Sequence, residues 1–501
     1  MGQHLETLRE LLGEIADLNA AASVLGWDQQ TYMPAKGAPA RAMQLATLGR
    51  LAHEKFISSE VGEALERAQQ EVADLDPDSD EARLVRRVRR EYHKQRKVPS
   101  EWVGEFNRVT SLAHQVWQKA RAEKDFPQFK PALEQIVPLR RQYADFFAPY
   151  DHVYDPLLDD FEQGMKTVEV VQVFNQLRPQ QVELVRMIAE RGRAVDDAVL
   201  HRAYDVEKQR QFGLEVVKQL GYDLERGRAD KSAHPFTTSF SIHDVRITTR
   251  FDPNFLSDSL FSTIHESGHA MYDQGLDPAF ERTPLASGAS CAIHESQSRM
   301  WENLVGRGRA FWQYFYPRLQ HYFPETLGNV DLEAFYRAIN KVQPSFIRVD
   351  ADEATYSLHI MLRFELELAL MEGSLAVADL PQAWNQKMRD YLGLTPPDDA
   401  KGVLQDVHWS GGAMGYFPTY ALGNLIAAQL WEKINQDLPD VEAQIARGEF
   451  AELLAWLREH VHRHGAKFDA GELLQRVTGS RLTPEPFLRY LRRKFGGIYG
   501  L

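Results

Sequence analysis

The chain has 501 residues, 44% of them hydrophobic and 26% charged, and its 58 Lys and Arg against 71 Asp and Glu give a formal net charge of −13. That balance is ordinary for a globular protein and excludes the basic footprint of a nucleic-acid binder or a polybasic membrane-surface protein. A chain of this length is read as one large two-lobed body over residues 1–501, with a helical N-terminal part to about residue 228 and a catalytic part over about 229–501.

The first stretch, MGQHLETLRELLGEIADLNAA, is amphipathic and acidic, unlike a basic segment followed by an apolar core, so no signal peptide is expected. No run of eighteen apolar residues follows, and no membrane span is expected either. Cys291 is the sole cysteine, which rules out an intramolecular disulfide and fits a reducing cytoplasm.

Helical periodicity runs almost unbroken to about Arg228, punctuated by Pro34, Pro77, Pro99, Pro127, Pro149 and Pro179. Within it, Gly26 to Pro34 reads as a turn between two helices, packed by Trp27. Ser79 to Lys97 concentrates positive charge on a helix, either a solvated face or a wall that attracts substrate. The composition changes between His234 and Arg250, where β-branched residues alternate. Val245, Ile247 and Thr249 are expected on one side of a strand, with Asp244, Arg246, Thr248 and Arg250 on the other. Thr237 to Ile242 pairs with it through a turn at His243-Asp244. Such a strand can offer its backbone to an extended peptide, which then adds itself as another strand.

The stretch Leu260 to Gly275 reads LFSTIHESGHAMYDQG. Pro253 and Asn254 mark the entry of a helix, Phe255, Leu256, Phe261 and Ile264 form its apolar stripe, and Gly275 stops it. On that helix His265 and His269 share one face and can reach a single metal ion, while Glu266 stands one residue round, near a water on that ion. This pattern points to metal-assisted hydrolysis. Catalytic zinc takes three protein ligands and leaves one position open. A third histidine six residues on is absent, since Gly275 stands there, and a carboxylate on a following helix is the usual alternative. Ser287 to Gly306 becomes helical from about Ala292, and Glu295 on it is the chosen ligand, with Glu281 and Glu302 as fallbacks. The competing reading of Glu295 is an i, i+4 ion pair with Arg299.

Further helices follow, interrupted between Leu394 and Pro418, where a Gly- and Pro-rich loop carries Gln405, Asp406, His408, Trp409 and Tyr416. An oxyanion needs a hydrogen-bond donor beside the metal, and His408 and Tyr420 are candidates, with Tyr416 behind them. An enzyme that trims chain ends also needs a cation for the terminal carboxylate. Arg348 could serve through its planar fork, or could simply pair with Asp352. His460, His462 and His464 also place two imidazoles at i, i+4. They sit at a helix end with no glutamate between them, so they read as cations favoured there.

Together these residues resemble the thermostable carboxypeptidase Taq family of metallocarboxypeptidases over essentially the whole chain. The resemblance rests on WDQQTYMP, His234-Pro235-Phe236, Asp244-Val245-Arg246-Ile247-Thr248, the HESGH at His265, His294-Glu295-Ser296-Gln297, Ile347-Arg348-Val349-Asp350-Ala351-Asp352, and Gly402 to Trp409. It implies a mainly α-helical body with a deep groove, a small β-sheet next to the HExxH helix, and a homodimer. It implies one Zn2+ per chain, with Co2+ as a substitute, held by His265, His269 and Glu295, and Glu266 as general base. The implied activity is removal of single residues from peptides with a free C-terminus, with broad specificity and poor action near proline. Arg348 becomes the carboxylate clamp, helped by His234, Gln405 or His408. A looser similarity to the thimet oligopeptidase type, carried by His408-Trp409-Ser410-Gly411-Gly412 and the tyrosine twelve residues after that histidine, favours Tyr420 over Tyr416 as oxyanion donor. The rival readings are an oligopeptidase that cuts internally and a helical peptide-binding scaffold in which zinc is structural.

Overall fold

Serine caps and proline breaks set the first four helices, Gln3–Thr31, Ala38–Phe56, Ser59–Glu71 and Asp80–Lys97, in the computed structural model, which describes residues 2–501. Ser58 and Ser79 each accept from a backbone N–H in the first turn of the helix they precede, Val61 and Ala82, both at 3.3 Å. The buried faces of these helices, through Leu5, Leu8, Leu12, Val61, Leu65, Leu84 and Val88, close on one another and on Phe280 and Leu285 in a small core of their own. A second, much larger core runs from Trp102 to Tyr499, so residues 99–222 share it with the elements that follow.

One reading of this N-terminal region is corrected. The turn expected from Gly26 is confined to Tyr32–Pro34, because the first helix continues through Thr31. Packing overrides the glycine there: Trp27 is buried with its ring 5.6 Å from that of Tyr32 and 4.5 Å beneath the Arg246 guanidinium. The basic helix Asp80–Lys97 keeps part of each expectation: Arg86, Arg89, Arg96 and Lys97 are exposed, while Arg87, Arg90 and Lys94 face a large cleft with acidic partners beside them. Arg83 pairs with Asp78 and Glu472, Arg87 with Glu91, and Arg90 and Lys94 with Asp159.

The sheet has three strands, β1 (Gly227–Lys231), β2 (Phe236–Ser241) and β3 (Asp244–Thr249), in the order β1-β3-β2. β2 and β3 form the expected antiparallel hairpin, with Thr237 opposite Ile247 and Ser239 opposite Val245. β1 falls where helical periodicity runs out, and it pairs parallel with β3. The preceding helix, Val206–Leu220, stops at Gly221, whose φ of 108° only glycine adopts readily. Val245, Ile247 and Thr249 are buried as expected, but Thr248 on the other face is buried too, taking a 2.7 Å hydrogen bond from Ser232.

Beside the sheet lies the helix Leu256–Gln274, followed by Cys291–Arg299, which continues as a wider π-helical turn over Met300–Val305. The helix Pro418–Asp437 packs against the latter pair. The loop between Leu394 and Pro418 is irregular apart from a single turn over His408–Gly411. Buried Glu367 ties it down, accepting from Trp409 Nε1 at 2.8 Å, Gly415 N at 3.1 Å and the Tyr154 hydroxyl at 2.5 Å. Among the described residues no helix is long and apolar enough to cross a membrane.

Candidate metal centre and its groove

Four-residue spacing on Leu256–Gln274 brings the rings of His265 and His269 within 4.9 Å, and both turn Nε2 toward one carboxylate oxygen, Glu295 Oε2, at 3.7 and 3.4 Å. Two donors bound to one tetrahedral ion at zinc-like bond lengths are about 3.4 Å apart. The donor atoms of the three side chains all lie within 4.8 Å of one another, close enough to converge on one ion of that size. Their other polar atoms are already occupied. His265 Nδ1 meets Glu302 Oε2 at 2.9 Å, and His269 Nδ1 meets His294 Nδ1 at 2.6 Å, whose Nε2 is held by Asp273 at 3.0 Å. Such partners fix which ring nitrogen is free for a metal.

Glu295 forms the ion pair with Arg299, and its other oxygen is placed as the ligand reading requires. Its Oε1 accepts from Arg299 Nε at 2.7 Å while Oε2 faces the histidines. Glu302, a fallback ligand, instead orients His265, and Glu281 accepts from Ile242 N at 3.0 Å, outside the cluster. Glycines set the approach of the three helices. A Cβ on Gly268 would lie 2.6 Å from Ser298 Cα, and one on Gly423 would lie 2.6 Å from Glu295 Cγ.

Glu266 is buried, and its Oε2 accepts from the Thr237 hydroxyl at 2.6 Å. Thr237 escaped the sequence reading as a functional residue. Its signal was present, since it lies on the strand expected next to the HExxH helix.

A second polar cluster faces the same groove. Arg348 is buried, with Nε and Nη2 each 3.0 Å from Asp406 Oδ1 and Nη1 donating to the Tyr356 hydroxyl at 3.0 Å. Of its five N–H donors, one on each terminal nitrogen stays uncommitted. Arg363 holds the other oxygen of Asp406 at 2.6 Å. Burial would push the Asp406 carboxyl up, but Arg363 and Arg348 hold it below the ordinary range. Two guanidiniums on one carboxylate leave a net positive charge here, suited to an anion. The Arg348–Asp352 pair allowed by spacing does not form, because Asp352 accepts from the backbone N–H of Gln343, Ala354 and Thr355.

Gln405 is spent on backbone: its Oε1 accepts from Arg348 N at 2.9 Å and its Nε2 donates to Phe346 O at 3.0 Å. His408 Nε2 lies 3.5 Å from the Tyr420 hydroxyl, and the Tyr416 ring lies 5.5 Å from the imidazole and 5.2 Å from the Tyr420 ring. Burial pulls His408 down to about 4, and burial likewise keeps the Tyr420 phenol protonated far into the alkaline range. His234 is exposed at the rim. The histidines, Glu266, Glu295, Arg348, His408, Tyr416, Tyr420 and His234 all line one groove of about 1920 Å³. The His460–His464 group is not part of it; His462 is buried against Gly275 and bonded to Gln297 at 2.9 Å.

The chain is similar to known proteins along its whole length. The family model described as "Carboxypeptidase Taq (M32) metallopeptidase" matches residues 7–495. Thermostable carboxypeptidase 1 of Thermus thermophilus is 44% identical, over 99% of this chain and 99% of that protein. Carboxypeptidase 1 of Bacillus subtilis is 39% identical, over 98% of this chain and 97% of that protein. The crystal structure of the M32 carboxypeptidase from Deinococcus radiodurans R1 superposes with a TM-score of 0.97 at 42% identity, covering 100% of both chains.

Proposed function

This chain belongs to the carboxypeptidase Taq (M32) metallopeptidase family, and from that premise we propose that it is a zinc-dependent carboxypeptidase removing single residues from free peptide C-termini. Its specificity is broad, with poor action at proline. His265, His269 and Glu295 would hold the zinc, which when bound supplies Lewis acidity and a water of lowered pKa. Co2+ is a workable substitute for that donor set.

Glu266, oriented by Thr237, takes the proton of the attacking water and delivers it to the leaving amine. Tyr420 keeps its proton at working pH and donates to the developing oxyanion, with neutral His408 beside it and Tyr416 packed behind. Arg348 receives the terminal carboxylate on its two uncommitted N–H groups, and His234 contacts the substrate at the rim. Gln405 acts through Arg348, whose backbone it holds. The peptide lies along β2, the one of the sheet's two outer strands that lines the groove through Phe236 and Thr237, as an added strand. Proline lacks the N–H that such pairing uses, which accounts for the poor action there. The enzyme works as a homodimer of single-domain chains in the cytoplasm.

The observation that carries this reading is the placement of an anion-receiving arginine and a metal-ready His-His-Glu set on one groove. Internal cleavage needs the second of these but not the first. The test is digestion of matched peptides with free and amidated C-termini, with and without chelator, followed by mass. Stepwise, chelator-sensitive loss of residues from the free acid alone is expected. Internal cuts in both peptides would favour an oligopeptidase, and no cleavage after zinc reconstitution would favour a binding scaffold.

A further inference from the structure

One side chain touches the supports of both clusters. Tyr356 begins the helix Tyr356–Glu372 and is 5% exposed at the groove wall. Its hydroxyl accepts from Arg348 Nη1 at 3.0 Å. The face of its ring lies 4.2 Å from the Arg299 guanidinium carbon. Arg299 in turn donates to Glu295 Oε1 at 2.7 Å and to Glu302 Oε2 at 3.2 Å, and Glu302 is the partner of His265 Nδ1. Two guanidiniums, Arg348 buried and Arg299 partly so, thus share one phenol. Arg348 takes the oxygen and Arg299 takes the π face.

Each contact completes a set that is otherwise short of a partner. Asp406 holds one edge of the Arg348 fork, the Tyr420 ring lies 4.9 Å from its guanidinium carbon, and the Tyr356 oxygen holds the opposite nitrogen. Arg299 has carboxylates in its own plane, and the aromatic face covers the flat side that those carboxylates cannot reach.

We propose that Tyr356 is a positioning residue coupling the carboxylate clamp to the metal ligands. Its hydroxyl aims the free edge of Arg348 at the substrate, and its ring holds Arg299 in register with Glu295 and Glu302. The proposal rests on the reading of Arg348 as the receiver of the terminal carboxylate. Because the two functions use different parts of one side chain, they separate by substitution.

Tyr356→Phe keeps the ring and removes the oxygen. It should raise KM for a free-acid peptide about tenfold, the worth of one hydrogen bond to a charged group, while kcat and zinc affinity stay as in the unaltered protein. Tyr356→Leu removes the ring as well. It should raise KM and also weaken zinc binding about tenfold or more, read by competition with a chromogenic chelator, a measurement that needs no turnover. The full zinc affinity kept by Tyr356→Phe is the internal control that the ring, not the fold, is responsible. An unchanged KM in Tyr356→Phe overturns the coupling to the clamp, and full zinc affinity in Tyr356→Leu overturns the coupling to the metal. Arg348→Met tells these apart from failure of the underlying reading. If it still prefers free-acid over amidated peptide, Arg348 is not the clamp and the hydroxyl half falls with it, while the zinc measurements decide the ring half independently.

Discussion

Arg299 donates its Nε proton to Oε1 of Glu295 at 2.7 Å, and that leaves Oε2 of the same carboxylate facing Nε2 of both His265 and His269. A carboxylate pinned by one oxygen presents the other in a single direction, and it is pinned before any metal arrives. Arg299→Met removes the pin and leaves the buried carboxylate with only the two histidines beside it. Zinc affinity should fall about 10–100-fold, the usual range for losing an outer partner of a ligand. Chelator competition on zinc-free protein checks this, and undiminished affinity would mean that helix packing alone orients Glu295.

Packing does make its own contribution, through Gly423. A methyl there would sit 2.6 Å from Cγ and 2.8 Å from Cβ of Glu295, atoms too close to its backbone to swing away. One helix must shift, so Gly423→Ala should cost about 1–3 kcal/mol of stability and weaken zinc binding as Glu295 is displaced. Gly49→Ala is the contrasting case. It stands exposed within the helix Ala38–Phe56 with nothing near its would-be Cβ, and there the methyl should stabilise by about 0.5–1 kcal/mol. Denaturant melts of the two variants should move in opposite directions.

The parts of this site that the sequence made legible are those set by spacing along one helix: His265, Glu266 and His269, and the helical setting of Glu295. Groups that meet across elements were not. Glu302 finds His265, and Thr237 finds Glu266, only once the strand and three helices have packed. The pairing of Arg348 illustrates the limit: Asp352 is four residues away, yet the partner is Asp406 from a distant loop. The fold follows the same rule. The β2–β3 hairpin announced itself by alternation, whereas β1 reads GRADK and is a strand only because β3 offers it an edge. Local signals around Trp27 favour a turn, and only Arg228, Arg246 and Tyr32 packing round its ring hold that stretch in the helix.

Glu266 and Thr237 allow the proposed base to be separated from its support. Glu266→Gln keeps the shape but cannot accept the proton, so kcat should fall at least ~10²-fold with zinc content unchanged. Thr237→Val leaves the base in place but releases its 2.6 Å hydrogen bond, and a smaller fall in kcat, with zinc still bound, is expected. Single-turnover rates with metal analysis decide the matter. Near-normal turnover by Glu266→Gln would remove it from the mechanism.

Stability against pH offers a check away from the groove chemistry, at Glu162. This carboxyl is fully buried at the start of the helix Cys291–Arg299, accepting from Ala292 N at 2.5 Å. Burial pushes it up from 4.5 to about 8, against the opposing pull of the Ser290 hydroxyl and the Ala292 N–H. The neighbouring Cys291 thiol is pushed up by burial to about 12 and does not titrate in that window. The folded chain therefore keeps a proton that the unfolded chain gives up. Its contribution to stability is complete below about 4.5 and is lost as the pH climbs through about 8. Glu162→Gln resembles the neutral acid at every pH, and its amide oxygen can still accept from Ala292. Histidines that titrate in the same range do so in both proteins and cancel in the difference. The melting temperature of the variant relative to the unaltered protein should consequently rise between pH 5 and pH 8.5. A difference that stays flat across that range would mean that Glu162 is already ionised in the folded chain.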